Sequence, residues 1–169
     1  AENDIFEHNF DDIFSKVLVQ VIQKHKPDIF LAGATSFGRS LIPKVAAIIR
    51  TGLTADCTAL SIDAEKKILL QTRPTFGGNI LATIITRNAR PQMATVRPHV
   101  MEKNEIYSDE QFESKIEYMN FNTENFKSRY KLLSTEKESG QNINLADYDI
   151  VVSGGRGMQS PENFALLKE

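Results

Sequence analysis

The amino-acid sequence predicts an α/β protein with mixed sheet order. Two observations carry this prediction. In the first third of the chain, two stretches with the apolar spacing of amphipathic helices flank a short apolar strand. Four further strand candidates then follow one another, separated by turn residues, and a last strand candidate stands near the end. A chain in which helices and strands alternate and strands then follow in series is typical of an α/β domain.

The composition is that of an ordinary globular domain. The chain has 169 residues, of which 41% are hydrophobic and 25% charged, so it can bury a sizeable core without disulfides or metals. Its net charge of −2 predicts no nucleic-acid partner. No apolar run approaches the roughly 20 residues of a membrane span, so we expect no membrane span. Cys57 is the single cysteine and cannot form an internal disulfide.

Two helices are predicted from apolar periodicity. The first begins after Asp11 or Asp12, one of which caps it, and runs to about His25, with six apolar side chains on one face. The second covers residues 40–51, and Pro43 fits only near its first turn, where a missing N–H costs little. The apolar face of the first helix consists of Ile13, Phe14, Val17, Leu18, Val21 and Ile22.

Strands are predicted for apolar, β-branched runs bounded by turn residues. "SRYKLLS" is a further strand candidate within the polar stretch 102–147, where "KIEYMNF" stays undecided between strand and helix and "EKESGQN" is a linker by composition. In the same stretch, Ser108 and Gln111 could form a capping box. The main strands are predicted at residues 28–33, 57–63, 67–72, 79–86 and 92–97.

The end of the chain, "DYDIVVSGGRGMQSPENF", is typical of a strand, a glycine-rich loop and a helix start. Residues 148–153 form the predicted strand, and the helix begins near residue 160 with a serine cap and a proline. In the loop, Gly155 and Gly157 allow a ligand to approach the backbone closely, and Arg156 presents a planar cation suited to a phosphate or a flavin. The GxGxxG fingerprint is not met, so a dinucleotide loop and a plain glycine turn both stay open.

Other motifs have two readings each. "GATSFGRS" joins a strand to a helix and could bind an anion, or it is a tight turn in which Gly33 and Gly38 supply conformational freedom. Gly77 and Gly78 indicate a turn, or less readily a close approach of another backbone. Arginine precedes proline three times, either to hold carboxylates or phosphates or simply to end strands. The three pairs are Arg73-Pro74, Arg90-Pro91 and Arg97-Pro98.

The sequence shows no constellation typical of a self-contained enzyme. His8, His25 and His99 are far apart and none belongs to a cluster with metal-ligand spacing. Cys57 is more typical of a small core residue than of a nucleophile. We therefore predict no catalytic residue and no metal site.

Five blocks in this order resemble the alpha subunits of electron transfer flavoproteins: "LAGATSFGRSLIPKVAA", "TGLTADCTALSID", "QTRPTFGGNILATI", "RPQMATVRP" and "DYDIVVSGGRGMQSPENF". The resemblance implies a Rossmann-like three-layer domain similar to adenine nucleotide alpha-hydrolase folds. It also implies FAD as cofactor, with Arg156 contacting the flavin and Gly155 and Gly157 beside it. The implied partners are a beta subunit and dehydrogenases such as acyl-CoA dehydrogenases.

The resemblance further implies an electron carrier rather than an enzyme, acting in fatty acid β-oxidation as half of a heterodimer. We expect a fragment, with residues 1–146 from the N-terminal domain and residues 147–169 from the start of the FAD-binding domain. FAD binding to this chain alone is then expected to be weak or absent. The expected location is the bacterial cytoplasm, or the mitochondrial matrix in a eukaryote. The alternative is a nucleotide-binding or subunit-docking module without redox activity.

Overall fold

The structure, a computed structural model, describes residues 6–8, 10–75, 78, 80–102, 116–121, 126–136, 145 and 148–167. The chain divides into two compact units, residues 1–132 and residues 133–169, and each is described by itself. The first unit holds two α-helices and six strands among its described residues. They are α1 (Asp11–His25), β1 (Ile29–Gly33), α2 (Ser36–Ile49), β2 (Leu53–Cys57), β3 (Ala59–Asp63), β4 (Ile68–Pro74), β5 (Leu81–Ile84) and β6 (Gln92–Val96).

The strands form two three-stranded sheets of different kinds. In the first sheet the order is β1-β6-β2 and all neighbours are parallel, with Ile29 opposite Gln92. In the second sheet the order is β3-β4-β5 and all neighbours are antiparallel, with Ala59 opposite Thr72. The predicted α/β fold with mixed sheet order is therefore confirmed.

Alternation along β6 explains how two layers pack against the two faces of the parallel sheet. Met93 is fully buried in the apolar cluster that α1 and α2 contribute to one side. The next residue, Ala94, points to the opposite face, because successive strand side chains alternate. It is buried with Cys57 of β2 and Leu69 of β4. Helices thus cover one face of the parallel sheet, and the antiparallel sheet covers the other.

Two buried glutamines lie between the sheets, and they differ in whether their side-chain amides are hydrogen-bonded. Gln92 of β6 accepts a hydrogen bond from the Leu69 backbone N–H at 2.8 Å and donates one to the Lys67 carbonyl at 3.2 Å. It therefore ties the parallel sheet to the backbone of β4. Gln71 of β4 is also fully buried, but neither its amide oxygen nor its amide nitrogen has a hydrogen-bond partner among the described residues.

The first helix ends at His25 as predicted, but it begins at Asp11, so the predicted cap residues do not precede it. Phe10 occupies the cap position with extended backbone, and no side chain caps the helix there. Asp11 instead pairs with Lys44 of α2 at 2.6 Å, and Asp12 accepts a 2.9 Å hydrogen bond from the Arg129 backbone N–H. Both carboxylates make tertiary contacts, which the local sequence pattern does not reveal.

The second helix begins four residues earlier than predicted. Thr35 caps α2 by accepting a 3.1 Å hydrogen bond from the Gly38 N–H, so the turn that was predicted to precede the helix is its first turn. Pro43 consequently lies inside the helix rather than in its first turn, which corrects the prediction. Pro43 is exposed, and its ring removes the N–H that would otherwise donate to the Arg39 carbonyl.

Three strand predictions were wrong or incomplete. The predicted strand 57–63 is split between β2 and β3, and β2 begins at Leu53. Residues 128–134 and 148–153 form no strand. In the second unit, Ile150 is 82% exposed, and no strand is present among the unit's described residues to pair with it. A lone strand has no partner for its backbone hydrogen bonds, so apolar β-branched composition alone does not form one.

Some predictions fall on residues outside the described part of the chain. These are the capping box at Ser108 and Gln111 and most of the linker "EKESGQN". Gly77 is likewise outside it, but Gly78 has a left-handed φ of 77° in the turn between β4 and β5. The turn reading of that glycine is therefore confirmed.

Candidate functional site

The glycine-rich loop of the second unit is built around one turn of 3₁₀ helix, Arg156–Met158. Gly154 is required there for packing, because an added Cβ would lie 2.7 Å from Met158 Cγ and 3.0 Å from a ring carbon of Phe164. The Asn163 side chain closes the loop by donating a 2.7 Å hydrogen bond to the Met158 carbonyl. The loop is thus held by its own contacts.

Neither of the two usual reasons for a glycine, a left-handed backbone or close packing, applies to Gly155 and Gly157. Neither has a left-handed φ, and an added Cβ would meet nothing within 4 Å at either position. Backbone conformation and internal packing therefore do not require glycine there. Between them, Arg156 is exposed. Two bare backbone segments beside an exposed guanidinium are suited to a flat anionic or hydrogen-bonding ligand that approaches the chain closely.

The segment after the loop is a seven-residue 3₁₀ helix, Pro161–Leu167, rather than the predicted helix of ordinary form. At the start of this helix, the Ser160 side chain is hydrogen-bonded to the Glu162 carboxylate. The side-chain hydrogen bond from Ser160, followed by a backbone hydrogen bond, lowers the pKa of Glu162. The predicted serine, proline and acidic residue thus stand at a helix start, but the helix is of the tighter kind.

A second cluster lies in the first unit, at the carboxyl ends of the parallel strands. Asp56 of β2 accepts a bidentate contact from Arg97, which directly follows β6, with a shortest distance of 2.6 Å from Nη2 to Oδ2. Arg39 in the first turns of α2 donates to the other oxygen of Asp56 at 3.1 Å. This carboxyl-edge cluster, Arg39, Asp56 and Arg97, pairs two cations with one carboxylate and therefore keeps one positive charge in excess.

The backbone places Asp56 for this role. Its φ of 62° is left-handed, which is uncommon for residues with a side chain but tolerated by aspartate. The pairing of β2 with β6 is irregular between Thr54 and Cys57, and the Asp56 N–H donates to Thr95 Oγ1 at 2.9 Å instead. The hydrogen bond from Arg97 is the main reason that the pKa of Asp56 lies below its usual 3.8.

The same contacts bear on the anion reading of "GATSFGRS". The Gly38 N–H is already bonded to Thr35, and Arg39 donates to the Ala34 carbonyl at 2.8 Å as well as to Asp56. An incoming phosphate would have to compete with the Asp56 carboxylate for both arginines. These contacts favour the tight-turn reading. The predicted role of the two glycines, conformational freedom, is not supported, because neither Gly33 nor Gly38 has a left-handed φ.

The arginines of the three Arg-Pro pairs have different hydrogen-bond partners. Arg97 belongs to the carboxyl-edge cluster, whereas Arg90 donates to backbone carbonyls of its own loop, with the shortest contact to Ala89 at 2.9 Å. Arg73 lies inside β4, where its Nε is 3.4 Å from the Pro74 carbonyl. The charges of Arg73 and Arg97 both lower the pKa of Asp56, Arg97 chiefly through its hydrogen bond, whereas Arg90 is not among the causes of that shift. The three arginines therefore do not all meet at one site.

Comparison with known proteins assigns the chain to a family. The family model described as the electron transfer flavoprotein domain matches residues 1–120. The chain belongs to the electron transfer flavoprotein domain family. The match covers most of the first unit and therefore includes the carboxyl-edge cluster, while the glycine-rich loop lies beyond it.

Individual relatives of this family match further along the chain. The chain is 42% identical to the electron transfer flavoprotein subunit alpha of Thermoanaerobacterium thermosaccharolyticum over all of its 169 residues, which is 50% of that relative. It is 43% identical to the subunit alpha of Megasphaera elsdenii over 96% of this chain and 48% of the relative. It is also 43% identical to Protein FixB of Clostridium saccharobutylicum, over 100% of this chain and 50% of the relative. The chain thus spans about half the length of these curated relatives.

Neither a reactive cysteine nor a metal-binding cluster is present among the described residues. Cys57 is fully buried, and burial is the main reason that the pKa of its thiol is raised, so it is a core residue as predicted. Among the described residues no group of three or more His, Cys, Asp or Glu side chains could hold a metal ion. No helix in the same part of the chain has the length and apolarity to cross a membrane.

Sequence reasoning missed Asp56, which no motif marks. The signal lies in "TADCTALSID", where a charged residue interrupts an apolar run between a buried threonine and a buried cysteine. Such an interruption is typical of a bulge or a paired charge at a strand end.

We expect acid to weaken the first unit through Asp56. Because the pKa of Asp56 is lower in the folded protein, its pairing stabilises the fold above pH 3.8, the usual value, and this contribution is lost as the pH falls through the lower folded value. Asp56→Asn removes the contribution while keeping a residue that tolerates left-handed backbone. The check is urea unfolding at several acidic pH values, where the difference in unfolding free energy between the two proteins should shrink. A constant difference would contradict the assignment.

Proposed function

We propose that this chain is part of the alpha subunit of an electron transfer flavoprotein. In the complete protein, this subunit binds FAD together with a beta subunit and passes electrons from dehydrogenases, such as acyl-CoA dehydrogenases, to an acceptor. The family match over residues 1–120 carries the proposal. Relatives that bear the name of subunit alpha support the assignment to that subunit. The role is that of a carrier, which holds electrons and does no chemistry on an organic substrate of its own.

Residues 147–169 are proposed to begin the FAD-binding domain. FAD supplies the redox chemistry when bound. The guanidinium of Arg156 would donate hydrogen bonds to an oxygen or nitrogen of the flavin, and its positive charge would favour the reduced, anionic form. Gly155 and Gly157 are proposed to leave room for the cofactor, because no internal contact or backbone conformation accounts for them.

The proposed role of Arg156 predicts a loss of FAD affinity in the complete alpha and beta complex. Arg156→Ala should weaken FAD binding about tenfold or more, since it removes hydrogen bonds from a charged donor. It should also move the flavin potential to a more negative value. Arg156→Lys keeps the charge but not the planar fork, so it should restore the potential more than the affinity. The measurements are FAD titration by fluorescence and a spectroscopic redox titration.

Arg129→Ala is the matched control, because Arg129 is also exposed but lies in the first unit. It should leave both the affinity and the potential unchanged. An Arg156→Ala complex with parent values would show that this arginine does not contact the flavin. The carrier function is tested separately, by mixing the parent complex with a reduced acyl-CoA dehydrogenase. If no flavin dehydrogenase of any class reduces the bound flavin, the proposed function is wrong.

A further inference from the structure

A groove of about 530 Å³ lies at the opposite end of the parallel sheet from the carboxyl-edge cluster. The order of elements explains its position. Helix α1 ends where β1 begins, and α2 runs back against β1 and ends where β2 begins, so both helix ends meet at the amino ends of the strands. The loop before β6 closes the third side. The groove is lined by Ile22, Gln23, Lys26, Pro27, Ile48, Ile49, Arg50, Arg90 and Pro91.

The floor of this amino-edge groove is apolar. Ile22 and Pro91 are buried beneath it, and Ile49 and Pro27 are half-buried at its walls. Ile48 is the exception, because it lines the groove and is still 51% exposed. Covering such an apolar floor with an apolar group of a ligand releases water and lowers the free energy.

The rim of the groove is cationic. Lys26 and Arg50 follow the last residues of α1 and α2, and both have left-handed backbone, with φ of 45° and 57°. Glycine is the residue that this position usually favours. Both side chains are exposed, and neither has a hydrogen-bond or ion-pair partner among the described residues. Cations at helix C-termini also complement the helix dipoles, but that role does not require an apolar groove between them.

We propose that this groove binds an amphipathic monocarboxylate, a molecule with a flexible apolar body and one carboxylate. The volume is in the range of small-ligand sites, which are mostly apolar and hold a few polar groups that orient the ligand. The apolar body covers Ile48 and Ile49, and the carboxylate lies between Lys26 and Arg50. Arg90 adds a third positive charge, which Asp28 at 3.6 Å offsets in part, and its hydrogen bonds to carbonyls hold the side chain in place. This proposal does not depend on flavin binding.

Titration of this chain with straight-chain carboxylates from butanoate to octanoate, followed by NMR, tests the proposal. Affinity should rise with chain length by up to about fourfold for each methylene that becomes buried. Octanol, which has a similar apolar body but no charge, should bind more weakly. Added salt should weaken octanoate binding, because the two cations are exposed to solvent. Equal affinity for all chain lengths, or for octanol and octanoate, would overturn the proposal.

Two variants locate the site. The double variant Lys26→Gln, Arg50→Gln keeps side chains of similar reach and removes both charges, and it should lower octanoate affinity about tenfold relative to octanol. Ile48→Ser should weaken both ligands, and it leaves the core intact because this side chain is half exposed. Lys131→Gln is the control for loss of an exposed charge elsewhere in the first unit. Unchanged binding in the double variant, with the fold intact by circular dichroism, would exclude this groove.

Discussion

Replacing Gly38 by alanine is expected to destabilise the first unit by about 3 kcal/mol or more. An added Cβ would lie 2.0 Å from the Gly33 carbonyl oxygen, which is a backbone atom and cannot move away as a side-chain end can. Helix α2 would have to shift away from β1, which would also disturb the Thr35 cap. For a chain of this length we expect the midpoint of thermal unfolding to fall by about 6–12 °C. The chain has no tryptophan, so far-ultraviolet circular dichroism is the suitable probe.

Gly33→Ala provides a matched control for this prediction. The nearest atom to its added Cβ would be Thr35 Cγ2 at 3.7 Å, an ordinary contact, and the backbone there is not left-handed. The substitution should change the unfolding free energy by less than about 0.5 kcal/mol. Equal losses in the two variants would mean that both glycines act through the flexibility of the turn. The contrast therefore separates close packing from conformational freedom.

Opposite effects are expected when methionine replaces the two buried glutamines. Gln92→Met should destabilise the first unit by about 1–3 kcal/mol, because it leaves the Leu69 N–H without its hydrogen-bond partner. The Lys67 carbonyl loses one of two donors and keeps the hydrogen bond from Arg90 at 3.3 Å. Methionine is unbranched and of similar length, so little packing is lost. Urea unfolding followed by circular dichroism gives the free energies, and an unchanged urea dependence would exclude a change in the compactness of either state.

Gln71→Met should instead stabilise the fold by about 1–2 kcal/mol. Its amide is buried without a hydrogen-bond partner among the described residues, so its removal relieves a desolvation cost. A loss of stability in this variant would show that the amide has a partner, such as a bound water. Because both substitutions are chemically identical and lie between the same two sheets, their difference isolates hydrogen bonding from packing.

The proposed sites differ in how they can be recognised from the sequence. The glycine-rich loop is local, since three consecutive residues place Arg156 between two glycines. The amino-edge groove is not local, because its two cations stand 24 positions apart and look like ordinary helix ends in the sequence. Only the packing of α1 beside α2 places Lys26 and Arg50 on one rim.

The sequence by itself determined the elements whose signal is local. Apolar periodicity and Pro27 located α1 to within two residues, and β-branched runs located β1, β4 and β6 with the same accuracy. The same local chemistry identified Arg156 and its neighbouring glycines as a candidate ligand loop. Five blocks in order were enough to predict the family, which the family model confirms.

Tertiary structure decided everything that depends on residues distant in sequence. Asp11 and Asp12 look like helix caps, but packing directs one to Lys44 and the other to the Arg129 backbone. Asp56 gains its role only because the parallel pairing of β2 and β6 brings Arg97 beside it. Residues 148–153 have the composition of a strand, yet a strand also requires a neighbour to accept and donate its hydrogen bonds. Propensity is a property of a segment, whereas pairing is a property of the whole fold.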